Sequence, residues 1–483
     1  MRAHRGRRRV AGARRPRGVP EVTSTDLYEV TMALSYLREG MRAPATFSLF
    51  VRALPPRRGF LVAAGLEPAL DCLSRFRVGR SDAEQFAEAM RRPAADLEPL
   101  CDLSFDGQVR AVPEGRIVLP GEPLLEVTAP LPQAQLVETY LLSLLCHQTA
   151  VASKAARCVL AAAGRPLVDF SLRRTHGPEA GMQAARLCAL VGFAGTSNVA
   201  AACRYGIPAV GTMAHSYIES FPSEEEAFCA FSRTHPGPVT FLVDTYDTDR
   251  GVATAARVFT ALGLGTGCAI RLDSGDLGDL ARRARTALDA AGLADVRIIA
   301  SGGLDEYGVD RFVREGAPID AYAVGTKVGT AADAPYLDAA YKLVEYDGRP
   351  VMKLSSAKVT APGPKQVFRG PGLRDVIGLA DETPPEGTEP LLRTVMRGGL
   401  RTEPPGTPAA ARARFEADLS ALPEKARRIA APMAPAPAVS ARLTALTATV
   451  RHRLAERTGA APQNGNGRPR GPVGPPPASG GRS

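Results

Sequence analysis

The sequence predicts an α/β protein with an irregular parallel α/β barrel domain and a smaller α+β, sandwich-like domain built from both chain ends. Between residues 166 and 326, apolar strand-like runs alternate with helical patterns, which is typical of a parallel sheet that closes into a barrel or partial barrel. Residues 104–128 instead alternate short β-prone runs with Gly and Pro turns, as in a small antiparallel sheet. Short strand-like runs return after residue 341 and are expected to rejoin that sheet. An open doubly wound sheet is the alternative to the barrel.

Composition and pattern divide the 483 residues into five segments. They are a disordered basic arm at 1–20, an N-terminal α+β domain at 21–132, the barrel domain at 133–341, a C-terminal segment at 342–457 that rejoins the first domain, and a disordered Gly/Pro-rich tail at 458–483. The arm and the tail show no apolar periodicity, and segments that cannot bury apolar surface stay disordered.

The first helix is predicted to begin at Thr25 or Asp26, either of which can cap it, and to end at Gly40. Apolar residues recur at helical spacing from Leu27 to Leu37. Further strands are predicted at 47–51 and 60–64, and helices at 66–76, 81–90 and 133–163. The C-terminal segment contributes strands at 342–345, 350–354 and 366–369, and helices near 407–421 and 439–457.

The barrel strands are short apolar runs that finish on polar residues or glycine. They are predicted at 166–171, 208–214, 239–244, 268–273, 296–301 and 321–326. The helices between them are predicted near 178–191, 197–205, 223–233, 249–262, 277–291 and 305–315. Because parallel strands end at the same edge of their sheet, the polar residues that follow them should meet there.

The net charge of +10 does not indicate a nucleic-acid partner, because the basic excess lies at the two ends. Residues 1–20 carry eight arginines and residues 458–483 carry three, and setting these eleven aside leaves 49 basic against 50 acidic residues. Binding of nucleic acid by the arms alone is the alternative from a different functional class. Such binding should weaken steeply with salt.

The sequence also bears on location. No apolar run approaches the length of a transmembrane helix, and the basic N-terminal segment lacks the apolar stretch of a secretory signal. The eight cysteines form no CxxC pair and are typical of reduced core residues. We therefore expect a cytoplasmic protein with no membrane partner.

His215 is the candidate reacting residue. It follows the predicted strand at 208–214 and precedes the acidic, helix-starting run at 223–226, so its imidazole should lie at the carboxyl edge of the sheet. A core or loop histidine is the alternative for one imidazole taken alone. Asp244, at the end of the next strand, is placed to orient the imidazole, as a carboxylate backs a catalytic histidine.

The other strand ends favour an active site at this edge. Arg271 and Asp273 lie two residues apart on one strand and therefore share a face, which suits an anion on the arginine and a ribose hydroxyl or metal ion on the aspartate. Arg173 and Arg174 follow the strand that ends near Asp169. A plain scaffold needs Asp and Ser as helix caps here, but it does not need a histidine and several arginines as well.

Two glycine-containing turns are candidate phosphate sites. Ser301, Gly302 and Gly303 follow one strand and precede a helix, and Gly325 and Thr326 repeat the arrangement one unit later. Backbone N–H groups at such helix starts bind phosphate, and paired phosphate loops on the last strands are frequent in barrels. Five of the seven lysines lie between residues 327 and 365, where an ammonium group suits phosphate as a point charge.

A series of ordered motifs resembles the nicotinate phosphoribosyltransferase family, which belongs to the type II phosphoribosyltransferases. The resemblance covers roughly residues 23–368. The motifs are TDLYEVTMA, RRGFLVAAGLE, DFSLRRTHGPEAG, AGTSNVAA, GTMAHSYIESF, VDTYDT, RLDSGDL, IIASGGLDEY, AVGTKVGT and KLSSAKVTAPGPKQVFR. The resemblance implies the two-part fold described above and an ATP-dependent enzyme of NAD biosynthesis. It also implies nicotinate, 5-phosphoribosyl diphosphate and ATP as substrates, Mg²⁺, and a homodimer with shared active sites.

The same resemblance implies roles for individual residues. His215 matches the histidine that ATP phosphorylates during turnover. Tyr28 matches an aromatic residue that covers the pyridine ring from the other subunit, and Phe170 matches the opposite wall. The residues that match positions near the nicotinate carboxylate or the product phosphate are Arg173, Thr212 and Arg271. The two glycine-containing turns match the phosphoribosyl phosphate loops, and no metal ligands are assigned.

Ser197 is the candidate residue for choice of the pyridine substrate. In similar enzymes that use nicotinamide, the matching position holds an aspartate, which can accept a hydrogen bond from the carboxamide. A serine there removes repulsion of the nicotinate carboxylate and can donate a hydrogen bond to it, so the sequence predicts a preference for nicotinate. The alternative role for Ser197 is a cap of the helix that starts there. Nicotinamide or quinolinate phosphoribosyltransferase activity on the same fold is the alternative function.

Overall fold

The computed structural model describes residues 22–354 and 360–458, which form a mixed α/β fold. The predicted arm, the tail beyond residue 458 and part of the last motif lie outside these residues. The strands of the described chain are β1 Pro44–Val51, β2 Leu61–Val62, β3 Gln108–Ala111, β4 Ile117–Val118, β5 Pro123–Pro130, β6 Leu167–Asp169, β7 Gly195–Thr196, β8 Thr240–Leu242, β9 Ala269–Leu272, β10 Arg297–Ala300, β11 Ala321–Val324, β12 Ala339–Tyr346, β13 Arg349–Pro350, β14 Lys365–Arg369, β15 Val376–Leu379, β16 Glu389–Pro390, β17 Arg393–Arg397, β18 Leu400–Arg401 and β19 Ala438–Val439.

The helices follow the predicted helical segments closely, and the predicted 133–163 helix is divided in two. They are α1 Leu27–Arg38, α2 Leu66–Arg75, α3 Arg80–Met90, α4 Leu131–Leu136, α5 Glu138–Ala162, α6 Pro178–Leu190, α7 Val199–Tyr205, α8 His215–Glu219, α9 Glu224–Thr234, α10 Thr248–Ala261, α11 Leu277–Ala290, α12 Glu306–Arg314, α13 Thr326–Gly329, α14 Pro408–Ala421, α15 Glu424–Arg427 and α16 Ala441–Thr458. Short 3₁₀ helices lie at Ala94–Leu100, Leu172–Arg174 and Pro371–Leu373. No helix of the described part is both long and apolar enough to cross a membrane.

A curled, parallel six-stranded sheet forms a half-barrel with the order β7-β6-β11-β10-β9-β8. The pairs are parallel throughout, as the alternation of strands and helices predicted. Of the predicted barrel or partial barrel, the sheet of the described chain forms the partial one, because β7 and β8 are its two edges and do not pair with each other. The buried faces of these strands carry the apolar residues of the sequence runs, among them Phe241, Ile270 and Ile298.

The prediction of a strand at 208–214 is wrong. This segment forms one parallel bridge, between Ala209 and Thr196, and then continues without ladder pairing to α8. Proline lacks an N–H donor, so Pro208 contributes only its carbonyl, which accepts from the Thr196 N–H at 3.0 Å. The neighbouring strand β7 is two residues long and offers no further partners. His215 is therefore the first residue of a helix rather than the end of a strand.

A seven-stranded sheet with the order β13-β12-β1-β5-β3-β17-β18 combines strands from both halves of the chain. Strand β1 pairs antiparallel with both β5 and β12, so that Phe47 lies opposite both Val127 and Leu343. The predicted strand at 366–369 does not join this sheet. It lies in β14, within a separate four-stranded sheet of order β16-β14-β15-β19, and β2 pairs with β4 alone. The bounds of the domains given above stay predictions.

Helix α5 runs through the centre of the molecule. It contacts α2, α6, α12, β2 and β12, and small residues such as Ala152, Ala155 and Ala156 are completely buried along it. Small side chains let neighbouring elements approach the helix closely. The same helix carries two buried cations, Lys154 and Arg157, directly into the interior.

A second group of charges is buried between β14 and the N-terminal strands. Arg369 binds Asp375 and Asp418, each at 2.7 Å from a guanidinium nitrogen. Glu122 lies beside Asp375 and accepts a hydrogen bond from the Leu119 N–H at 2.8 Å. Burial, and then the charge of Asp375, raise the pKa of Glu122 well above its ordinary value of 4.5. Glu122 therefore resists ionisation more than an ordinary glutamate does.

We predict that Glu122→Gln makes the protein relatively more stable as the pH rises. The contribution of Glu122 to stability is complete below its unfolded pKa and is lost as the pH rises toward its raised folded pKa, because the folded state resists ionisation. Glutamine resembles the protonated acid and never ionises. The free energy of unfolding of the variant relative to the wild type should therefore rise with pH, by at most about 1.4 kcal/mol per pH unit.

Urea unfolding between pH 5 and pH 8 measures this difference. The control is Glu416→Gln, since Glu416 is exposed in a surface pair with Arg412. A difference between the Glu122 variant and the wild type that does not change with pH would contradict the prediction.

Candidate active site

Polar side chains converge at the carboxyl edge of the half-barrel. The residues come from the ends of β6, β8, β9, β10 and β11, and from the unpaired segment before α8. In α/β proteins this edge holds the ligand, because helix N-termini and loops open toward it.

Arg271 is a candidate anion-binding group at this edge. Its Nη1 donates to Thr212 Oγ1 at 2.7 Å, and its guanidinium carbon lies 6.0 Å from the centroid of the Phe170 ring. Its Nε is buried, and no hydrogen-bond partner for it exists within the described residues. Burial, which outweighs the nearby carboxylates, lowers the pKa of Arg271, and the charge of Arg173 acts in the same direction. Two guanidinium groups that repel each other beside an aromatic ring favour a bound anion.

Phe170 is held at this place by the strands on both sides. Its N–H donates to the carbonyl of Val324 at 2.8 Å, and its own carbonyl packs against Gly325, where a Cβ atom would lie 2.7 Å away. The preceding residue, Asp169, is buried and accepts hydrogen bonds from the Ser171 N–H and the Thr196 hydroxyl at 2.9 and 2.8 Å. The ring is thus fixed by backbone contacts and by an anchored aspartate.

Ser197 lies at the same edge, with its side chain exposed. Its N–H donates to the carbonyl of Asp169 at 2.9 Å. The alternative role of Ser197 as a helix cap is wrong, because Asn198 caps α7 by accepting from the Ala201 N–H at 3.1 Å. The hydroxyl of Ser197 is therefore left to face solvent or a ligand.

His215 begins α8 and is half-buried. Its Nδ1 lies 3.1 Å from the hydroxyl of Thr245. The predicted contact with Asp244 is wrong, because the Asp244 carboxylate accepts from the Asp273 N–H at 2.9 Å and from the Ser274 hydroxyl at 2.7 Å. Asp244 is turned toward the end of β9, whereas the next residue, Thr245, faces the imidazole. Thr245, the first threonine of the VDTYDT motif, is the signal in the sequence that could have indicated this contact with His215.

Asp273 connects the end of β9 to the loop after β10. Its carboxylate accepts from the Ser301 hydroxyl at 2.5 Å, and the Ser301 N–H donates to the carbonyl of Leu272 at 2.8 Å. The hydroxyl and the N–H of Ser301 are both used within the protein. Of the predicted phosphate loop, the backbone of Gly302 and Gly303 is what remains to bind a ligand.

The two predicted phosphate loops are adjacent and tied together. Gly302 and Gly303 adopt left-handed φ angles of +88° and +64°. Asp305 caps α12 by accepting from two backbone N–H groups, and it binds Lys327 Nζ, just after Gly325 and Thr326, at 2.8 Å. Burial opposes ionisation of Asp305, but the hydrogen bond from Lys327 and the cap hold its pKa below the ordinary value. Lys327, from the lysine-rich segment, thus joins the two loops.

Tyr28 lies apart from this edge. It is on α1, with 46% of its side chain exposed, and its hydroxyl bonds to Glu138 at the start of α5. Burial and the charge of Glu138 raise the pKa of Tyr28. Within the described ranges no cluster of three His, Cys, Asp or Glu residues could hold a metal ion.

We predict that Gly302→Ala is strongly destabilising. A Cβ atom at this position would lie 1.7 Å from the Asp273 carbonyl oxygen, and φ is +88°, so the substitution forces the loop away from β9. The loss in free energy of unfolding should exceed about 2 kcal/mol. Denaturant unfolding measures it. The matched control is Gly263→Ala, where φ is +65° but no atom lies within 4 Å, so only about 1 kcal/mol of backbone strain is expected. Equal losses in the two variants would show that the close contact has no effect.

Comparisons with known proteins agree with this arrangement. A sequence model of the nicotinate phosphoribosyltransferase N-terminal domain matches residues 23–146, and a model of the nicotinate phosphoribosyltransferase family matches residues 166–307. Nicotinate phosphoribosyltransferase pncB2 of Mycobacterium tuberculosis is 47% identical over 382 residues, covering 78% of this chain and 82% of that protein.

Solved structures show the same fold. The crystal structure of human nicotinic acid phosphoribosyltransferase superposes with a TM-score of 0.77 at 32% identity, covering 88% of this chain and 99% of that one. Nicotinate-nucleotide pyrophosphorylase from Pyrococcus furiosus superposes with a TM-score of 0.69 at 25% identity, covering 84% of this chain and 98% of that one. With both family models matched, and with 47% identity to the Mycobacterium tuberculosis protein over most of each chain, the chain belongs to the nicotinate phosphoribosyltransferase family.

Proposed function

We propose that this chain transfers the phosphoribosyl group of 5-phosphoribosyl diphosphate to nicotinate, giving nicotinate mononucleotide and diphosphate for NAD biosynthesis, and that ATP hydrolysis is coupled to the transfer. The observation that carries the proposal is Arg271, whose buried Nε has no partner in the described chain and whose guanidinium lies beside the Phe170 ring. A flat aromatic anion is the ligand that satisfies both groups at once.

The transfer itself requires alignment more than proton removal. The nicotinate ring nitrogen has a free lone pair at neutral pH, so it can attack C1 of the ribose without a general base. The new N–C1 bond forms as the C1–O bond to diphosphate breaks, and the bonding electrons leave with the diphosphate. Phe170 and Arg271 would orient the ring, while the backbone at Gly302 and Gly303 would bind phosphate oxygens.

His215 is proposed as the residue that ATP phosphorylates. If Nδ1 carries the proton, it donates to the Thr245 hydroxyl at the observed 3.1 Å and leaves the Nε2 lone pair free to attack the γ-phosphorus of ATP. The P–O bond to ADP then breaks, and ADP carries away the electron pair. The phosphoryl group adds negative charge and acceptor oxygens to the edge of the sheet, and its hydrolysis would drive the equilibrium of transfer forward.

Asp244 and Asp273 are proposed to serve the ribose side of the site. The second carboxylate oxygen of Asp244 is buried without a hydrogen-bond partner among the described residues, so it can accept from a ribose hydroxyl. With no cluster of three metal-binding side chains in that part of the chain, we propose that Mg²⁺ arrives with the diphosphate groups of the substrates.

We also propose a cytoplasmic homodimer with shared sites. Tyr28 and its neighbour Leu27 expose 46% and 49% of their surfaces on α1, where a second copy could cover them and receive the Tyr28 ring in its own site. All eight cysteines are free thiols, as expected in a reducing compartment.

Product analysis tests the proposed function. The purified protein is incubated with 5-phosphoribosyl diphosphate and nicotinate, nicotinamide or quinolinate, each with and without ATP. We expect nicotinate mononucleotide, with ADP formed in step. Quinolinate is the second candidate, because quinolinate phosphoribosyltransferase activity on the same fold is the alternative function. Release of CO₂ from quinolinate, with no use of nicotinate, would establish that activity instead.

We predict that His215→Ala abolishes ATP hydrolysis and the ATP-dependent gain in affinity for 5-phosphoribosyl diphosphate, while slow transfer without ATP remains. The ring site and the phosphate loops are unchanged in this variant, so alignment persists. The measurement is acid-labile phosphate on the protein after incubation with labelled ATP. Thr245→Val keeps the imidazole and should show a partial loss. Labelled His215→Ala protein would exclude His215 as the acceptor.

We predict that Ser197→Asp lowers kcat/KM for nicotinate strongly and lowers that for nicotinamide less, or raises it. A carboxylate about 4 Å from the nicotinate carboxylate costs on the order of 4 kcal/mol at an effective dielectric constant near 20. Ser197→Asn is the uncharged control of similar size and should change the ratio of the two constants less. If neither variant changes the ratio, discrimination depends on other groups, such as Arg173, Thr212 and Arg271.

A further inference from the structure

Five charged side chains form one interacting group beside the helices that follow the two phosphate loops. Four of them are buried, and the fifth, Asp333, has 24% of its side chain exposed. Its cations are Arg58, from the loop before β2, and Lys154 and Arg157, from α5. Its carboxylates are Glu306, the first residue of α12, and Asp333, which follows α13. We call these five residues the buried ion group. Its members come from three distant parts of the sequence, and each carboxylate follows a different phosphate loop along the chain.

Two of the cations each contact both carboxylates. Lys154 Nζ lies 2.5 Å from Glu306 Oε2 and 2.8 Å from Asp333 Oδ1. Arg58 Nη1 lies 2.9 Å from Asp333 Oδ2 and 3.5 Å from Glu306 Oε1. The side chains of Arg58, Lys154 and Glu306 are 1%, 2% and 0% exposed. The start of α12 and the end of α13 are therefore linked through two buried cations.

The third cation extends the group toward the C-terminal segment. Arg157 Nε donates to Glu306 Oε1 at 3.0 Å, and its Nη2 donates to the carbonyl of Ile429 at 2.8 Å. Three cations face two carboxylates, so the group keeps one net positive charge. Burial acts to lower the pKa of Lys154, but Glu306 and Asp333 raise it above its ordinary value, so the lysine stays charged.

A buried ion group of this kind is a weak source of stability. The free energy lost when charged groups are removed from water is about as large as the free energy gained from their attraction. Well-packed apolar residues at the same positions would often stabilise the fold equally. What the charges supply is fixed geometry, since each carboxylate must lie within bonding distance of the same two cations. On the ligand side, Lys327 and Asp305 tie the same two loops at 2.8 Å. The spacing of the loops is thus fixed from both sides.

We propose that Lys154 and Arg58 are positioning residues that set the distance between the two phosphate loops and thereby the affinity for 5-phosphoribosyl diphosphate. This inference rests on the proposed function. The two loops would hold the phosphate groups of one substrate between them, so a change in the distance between the loops weakens the binding of that substrate. Nicotinate is proposed to bind at Phe170 and Arg271, neither of which belongs to the buried ion group, so its binding should be affected less.

Steady-state kinetics of Lys154→Met and Asp333→Asn tests the proposal. Misplacement of a binding group by about 1 Å can cost up to roughly 100-fold. We expect the KM for 5-phosphoribosyl diphosphate to rise about tenfold in each variant, with the KM for nicotinate changed less than about twofold. Because both substitutions break the same link, the double variant should show much less than the product of the two single effects.

The matched control is Lys365→Met. Lys365 is also a buried lysine, but it lies in β14, where it donates to the carbonyls of Ala361 and Gly363 and lies 3.8 Å from Glu126. The Lys365→Met variant should lose stability without a selective change in the KM for either substrate. Unfolding temperatures of all variants, with and without 5-phosphoribosyl diphosphate, separate stability from binding, and Asp333→Asn keeps the test possible if the lysine variant does not fold.

The outcomes are distinct. A wild type that makes no nicotinate mononucleotide overturns the proposed function. An active wild type whose Lys154→Met and Asp333→Asn variants change both KM values equally, or lose only stability as Lys365→Met does, overturns the positioning role. A selective rise in the KM for 5-phosphoribosyl diphosphate that is not additive in the double variant supports it.

Discussion

The candidate site depends on hydrogen bonds by which a carboxylate at one strand end binds the end of the neighbouring strand. Asp244, after β8, accepts from the backbone and side chain that follow β9. Asp273, after β9, accepts from Ser301 after β10. Asp169 of β6 accepts from Thr196 of β7. The sheet of the described chain is open between β7 and β8, so no continuous ladder of backbone hydrogen bonds closes it as in a complete barrel. These carboxylate hydrogen bonds fix the positions of the strand ends instead.

This use of the carboxylates decides the charge of the site. Asp169, Asp244 and Asp273 are each engaged with a neighbouring strand end, and none forms an ion pair with Arg173 or Arg271 in the described chain. The arginines are therefore left for a ligand. The buried ion group adds one further positive charge beside the helices that follow the loops. An edge with committed acids and free cations is suited to anionic substrates, in agreement with the family to which the chain belongs.

Much of the half-barrel could be predicted from the sequence. The strands β8, β9 and β10 lie inside continuous apolar runs bounded by turn residues, and such runs are recognised without tertiary information. The segment 208–214 has a similar composition but lacks a partner of sufficient length, because β7 ends after two residues. Whether a run pairs as a strand depends on the length of its neighbour, and the sequence of the run itself does not contain that information.

The errors in the site have a related cause. Asp244 and Thr245 are adjacent, and which of them faces His215 depends on how the chain turns after β8. Ser197 and Asn198 are both good helix caps, and the choice is made by the hydrogen bond from Ser197 N–H to Asp169. The link between Lys154 and Asp333 joins residues that are far apart in sequence. Composition shows that charged residues are present, but contact between them is a property of the fold.

The open side of the half-barrel has a mechanical consequence. Thr212 lies on the segment between α7 and α8, three residues before His215, and it is the acceptor for Arg271. Beyond its bridge at Ala209, this segment forms no ladder pairing within the described chain. No sheet ladder of the described residues therefore resists a displacement of the imidazole. The short backbone between His215 and Thr212 would transmit such a displacement to Arg271. In the described chain, this stretch without ladder pairing therefore connects the imidazole of His215 to the residue that holds the Arg271 guanidinium.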